Sequence, residues 1–259
     1  GIPAFVIGAG LIGAIGEWVM EAMMDPDRAD TRPIFLIHHP DLINELELRG
    51  KGVEKSGLFY FTFNELTNCI QKIEKEGRQV MSMDTQQRTA YQKQVANLYS
   101  ALSLYQRIKH SLKPDEVGDF AADVDAFEKS LVPGIAAFKA QRSGREYDKE
   151  AFDAFVGHLA GYDNIARLAH PLLVPPDDPH SKELEWENAG QALLGVGLGK
   201  RAMPVAMRCY ARMATALAQE KPADFNAALD DYRNWLAGKF DVEVRKGRAE
   251  VFFNNLQAF

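Results

Sequence analysis

The stretch VANLYSALSLYQRIKHSLKP, residues 95–114, decides the class of fold. Val95, Leu98, Leu102, Tyr105, Ile108 and Leu112 recur at spacings of three and four, which lays them along one stripe of a helix, and Pro114 stops it. The same period continues downstream in Phe120, Val124, Phe127 and Leu131, with Pro133 and Gly134 predicting a kink or a break. Asp148 is placed to cap a further helix carrying Phe152, Phe155, Leu159 and Tyr162. Upstream, Thr62 and Glu65 have the spacing of a capping box, with Phe61 and Leu66 where a hydrophobic staple would sit, and the helix they open runs toward Met83.

Working outward, Pro33–Ile37 reads as a short extended run, Pro40 and Asp41 open a short helix to about Leu48, and Gly50–Gly57 reads as a loop. Near the other end, apolar-faced helices span about Pro204–Ala218 and Pro222–Leu236, Pro222 suiting a first helical turn. The class is therefore mostly α: an irregular multi-helix bundle with at most a short extended segment or small sheet near residues 33–37 and 58–61. HPLLVPPDDPH, from His170 to His180, excludes helix and marks the best internal boundary. It separates an N-terminal helical part, residues 1–170, from a C-terminal helical part, residues 186–259, through a Pro-rich connection at 171–185; one continuous domain is the alternative.

The formal net charge is -6, and no basic stripe with interleaved aromatics occurs, which argues against nucleic acid as a partner. Cys69 and Cys209 form no CxxC motif, and their pairing is open on sequence grounds. Ile2–Ile15 is the nearest approach to a membrane span, but Glu17 ends it short of the roughly 20 apolar residues required.

Gly8, Gly10 and Gly13 make a GxGxxG, the loop that lets a dinucleotide pyrophosphate approach a helix N-terminus. The next extended run ends in His38 and His39 instead of an acidic residue for the ribose, and no alternation of strands and helices follows, so packing glycines are the favoured reading. A nucleotide-binding enzyme using Gly8–Gly13 is the alternative. His38 and His39 are adjacent, so on an extended segment they point to opposite sides; with His170 they are the candidate cofactor-binding residues, and no metal site is expected. His110, His158 and His180 are scattered, without an HExxH or a pair of histidines one turn apart. No GxSxG, Walker loop or Cys/His/Asn set appears, and no catalytic residue is assigned.

AIGEWVMEAMMDPDRADTRPIFLIHHPDL, FYFTFNEL, LYSALSLYQRIKHSL, LLVPPDDP, PADFNAALDDY and the closing AEVFFNNLQAF together resemble the extramembrane region of bacterial system II cytochrome c assembly proteins, from about Ala14 to the end. The resemblance implies a soluble periplasmic domain, anchored to the inner membrane by flanking helices, with the segment at Phe253–Asn254 leading toward one of them. It also implies a module that binds or positions apocytochrome c or a partner subunit during haem attachment. The family holds haem through a Trp-rich motif flanked by histidines in its membrane part. This chain has no such motif, so no cofactor is expected in this domain and haem belongs to the full-length protein. A purely structural spacer is the remaining alternative.

Overall fold

The computed structural model describes residues 14–169, 171–177, 186–241 and 244–245, with side chains from Trp18 onward. The helices along the chain are α1 (Ala14–Met24), α2 (Pro26–Ala29), α3 (Pro40–Glu45), α4 (Phe63–Leu66), α5 (Ile70–Met81), α6 (Ala90–Lys109), α7 (Phe120–Arg142), α8 (Lys149–Leu168), α9 (Ala189–Gly197), α10 (Val205–Ala218) and α11 (Pro222–Lys239). The strands are β1 (Phe35–Leu36), β2 (Val53–Lys55) and β3 (Leu58–Phe61). The fold is mostly α, with one small sheet among the described residues. Contacts divide the chain into a smaller unit, Pro26–Arg107, and a larger one formed by the chain before and after it.

In the smaller unit the sheet is antiparallel in the order β1-β3-β2. Phe35 lies opposite Phe61 and Leu36 opposite Tyr60, so alternation sends Phe35 and Phe61 to one face and Leu36 and Tyr60 to the other. The first face meets the stripe read from the sequence: Val95, Leu98, Leu102 and Tyr105 of α6 are all buried. Tyr105 packs edge-on to Phe35 with ring centroids 5.5 Å apart, and its hydroxyl donates to the buried Asp30 carboxylate at 2.6 Å. Gln94, also buried, lies beside β1: its amide donates to the Leu36 carbonyl at 3.2 Å and its oxygen accepts from the His38 N–H at 3.3 Å. One carboxamide thus replaces a neighbouring strand and satisfies backbone groups that would otherwise be orphaned.

The capping box forms as expected, with the Glu65 N–H donating to Thr62 Oγ1 at 3.1 Å and the Thr62 N–H donating to Glu65 Oε2 at 2.8 Å. The helix it opens is not continuous to Met83; a 3-10 turn at Thr67–Cys69 separates α4 from α5. Thr67 contributes to that interruption by turning its hydroxyl back onto the Phe63 carbonyl at 3.1 Å. The stretch read as a loop at Gly50–Gly57 contains β2. Ser56 and Gly57 have φ of 53° and 79°, the positive pair that a two-residue type I′ hairpin turn requires, and this turn pairs β2 with β3.

In the larger unit, α7 packs on α8, α9 on α8, and α10 on both α7 and α11. The small side chains Ala206, Ala211, Ala214 and Ala216 are buried with Met207, Cys209, Tyr210 and Met213, making α10 the central element. Pro133 does not break α7. Gly134 there lies so close to Phe155 of α8 that a Cβ would meet that side chain at 2.3 Å. Asp148 caps α8 by accepting from the Ala151 N–H at 3.0 Å.

Residues on both sides of the Pro-rich stretch belong to this one unit. Val174 and Glu187 form an isolated antiparallel bridge, and the buried Tyr210 hydroxyl donates to the Leu173 carbonyl at 3.1 Å. Asn188, also buried, caps α9 by accepting from the Gln191 N–H at 2.8 Å and donates to the carbonyls of Ala166 and Ala169 at 3.0 and 3.2 Å. These bonds satisfy the chain end of α8 and the chain start of α9 with a single side chain. Cys69 and Cys209 are both free thiols.

Candidate functional site

α7 and α8 lean together around an open cleft of about 720 Å³. One helical turn separates His158 from Tyr162 on α8, and one turn separates Asp123 from Phe127 on α7, so the four side chains meet in pairs across the helix contact. The Tyr162 hydroxyl donates to Asp123 Oδ2 at 2.9 Å, and His158 Nε2 lies 3.3 Å from Asp123 Oδ1. Phe127 closes the base of the group, edge-on to Tyr162 with centroids 4.9 Å apart.

The other ring nitrogen of His158 faces the Ala154 carbonyl at 2.8 Å. Both of its neighbours are acceptors, an arrangement that favours the protonated ring. Its pKa is accordingly raised, first by the hydrogen bond to Asp123, against the opposing effect of burial. Tyr162 is pushed up as well, by burial and by the Asp123 charge. Through Asp123 the group joins the two helices.

The lining also includes His110, hydrogen-bonded to Asp115, Lys113 with its ammonium on the Val117 carbonyl, and the carboxylates of Glu116 and Asp153. The floor includes Gly157, where a Cβ would have nothing within 4 Å, so backbone lies open to the cleft. Among the described residues no group of three or more His, Cys, Asp or Glu side chains could hold a metal ion.

The sequence-derived candidates fall elsewhere. His38 is exposed and lines a separate groove of about 370 Å³ in the smaller unit, with Pro40, Ile43, Arg49, Lys51 and Phe59. His39 precedes α3, and its ring stands edge-on to Tyr91 at 5.4 Å. The two neighbours therefore serve different surroundings. The Tyr91 hydroxyl in turn bonds the Glu45 carboxylate and lies 3.2 Å from Glu76. Burial and the Glu45 carboxylate raise Glu76, whereas the bonds from Tyr91 and Lys72 lower Glu45. His170, His180 and the glycines Gly8, Gly10 and Gly13 lie outside the described residues.

His110 and His158, read from the sequence as scattered, share the α7–α8 cleft. The signal that could have singled out His158 was its one-turn spacing to Tyr162, facing a helix with Asp123 and Phe127 at the same spacing. No family model, curated protein or solved structure matches the chain.

Proposed function

We propose that this chain is the periplasmic docking module of a bacterial cytochrome c assembly protein, anchored through flanking membrane helices. It receives a stretch of apocytochrome c or of a partner subunit while haem attachment proceeds in other parts of that protein. The resemblance running from about Ala14 to the end supports the family assignment. The observation that carries the docking role is the α7–α8 cleft. Small-molecule sites are mostly apolar and enclosed. This cleft is open and mixed: Lys113, Glu116 and Asp153 line it together with Pro114, Val117, Ile165 and Leu168, and a Cβ at Gly157 would meet nothing within 4 Å. Such a surface suits a polypeptide that offers both charges and a backbone at close range.

The test is fluorescence anisotropy with labelled peptides containing a CxxCH motif, titrated with the chain and with Gly157→Leu. A Cβ at Gly157 meets nothing within 4 Å, so the variant is expected to keep its circular dichroism and lose peptide binding. Absence of peptide binding by the folded wild type refutes the docking role, and equal binding by the variant refutes the cleft as its location.

A further inference from the structure

We propose that the β2–β3 hairpin of the smaller unit docks on an anionic lipid surface. Leu36 and Val53 both lie opposite Tyr60, so the sheet's outward face carries Leu36, Val53, Tyr60 and Leu58. Leu36, Val53 and Leu58 are 36%, 44% and 38% exposed, and Phe59, on the other face, is 39% exposed. Leu36, Val53 and Leu58 therefore project together from one face of a three-stranded sheet, a pattern associated with interaction surfaces.

The hairpin and the chain leading into it are also cationic. Residues 49–60 hold Arg49, Lys51 and Lys55 against the single carboxylate of Glu54, in a chain of formal net charge -6. Lys55 Nζ lies 5.5 Å from the centre of the Tyr60 ring. A lysine ammonium beside a tyrosine ring at the edge of an apolar face suits the headgroup layer of a bilayer.

The strand edges distinguish lipid from a polypeptide partner. On β1, Gln94 already occupies the Leu36 carbonyl and the His38 N–H. Phe59 and Phe61 accept from Ile37 and Ile34 on the β1 side, so Leu58 and Tyr60 bond toward β2, and their partners Lys55 and Val53 bond inward. Only the peptide groups of Glu54 face out from β2, and the preceding Gly52 N–H is taken by the Glu65 carboxylate at 2.8 Å. An added strand finds almost no ladder to join. The apolar side chains remain, at a turn where a Cβ on Gly57 would touch nothing, and a fluid interface can close around them. The contact uses no residue of the α7–α8 cleft, so it fails or holds independently of peptide docking there.

The experiment is co-sedimentation of the 259-residue chain with vesicles of phosphatidylcholine alone or mixed in equal parts with phosphatidylglycerol. Binding to the anionic vesicles is expected. Val53→Ser with Leu58→Ser should weaken partitioning about tenfold. Lys51→Glu with Lys55→Glu should weaken it by at least about tenfold. Hydrogen–deuterium exchange of the wild type on the same vesicles should protect residues 49–60, a readout that survives any folding defect in the variants. No binding, undiminished binding by folded variants, or protection confined to other residues overturns the proposal. So does loss of self-association in the serine variant together with unchanged vesicle binding, which would assign the face to a second copy.

Discussion

Asn188→Ala isolates the joint between α8 and α9. The substitution removes three bonds of a buried side chain: the cap on the Gln191 N–H and the two donations to Ala166 and Ala169. Loss of a helix cap costs about 1 kcal/mol. Each carbonyl left without its donor costs about 1–2 kcal/mol. The total is about 3–5 kcal/mol, a large share of the stability of an ordinary domain. Asn188→Ser separates the contributions, because its hydroxyl can keep the cap while both carbonyls lose their partner; it should recover only about 1 kcal/mol. Trp18, Trp186 and Trp235 all belong to the larger unit, so urea unfolding followed by tryptophan fluorescence reports on the unit that contains Asn188. A loss below about 1 kcal/mol for Asn188→Ala would mean that water or neighbouring groups replace the amide, and the joint would not depend on this residue.

His158 gives the stability a pH dependence of defined sign. Its folded pKa is raised above the ordinary 6.5, so its contribution is complete below about pH 6.5 and is lost as pH rises through the folded value. Wild type should therefore lose more stability than His158→Gln between mildly acidic and alkaline pH in urea titrations; equal slopes would show that the bond to Asp123 does not hold the proton. Leu102→Ala, deep in the smaller unit, should cost about 2–5 kcal/mol in the unfolding of that unit followed by circular dichroism. A cost under about half a kcal/mol would place Leu102 outside the core.

The helices were legible because their signals are local. The α6 stripe, the Thr62 capping box, the Asp148 cap and Pro222 at a helix start each depend on residues within a few positions; each appears where the spacing places it, except that α6 ends at Lys109 and leaves Leu112, the last residue of the stripe, beyond the helix. β2 was not legible, since Val53, Glu54 and Lys55 are all exposed and show no alternation of burial; only the Ser56–Gly57 pair marked the hairpin. Of the kink or break read at Pro133, the break does not occur: the helix runs on to Arg142, with Gly134 packed closely against Phe155. The cleft was not legible. Asp123 and His158 are 35 positions apart on different helices, and no periodicity of either helix connects them. Of the histidines chosen from sequence, His38 lines a groove, but through its neighbourhood and not through any pattern in its own segment.

The seal that Gln94 places on β1 has an evolutionary consequence. A buried polar residue inside a helix would ordinarily be free to drift toward leucine or methionine, since a hydrophobic side chain there fits the helix equally well. Here that drift would bare a strand margin and invite fibrous self-assembly. The margin of β1 is thus guarded from the inside, at a position that surface inspection would pass over.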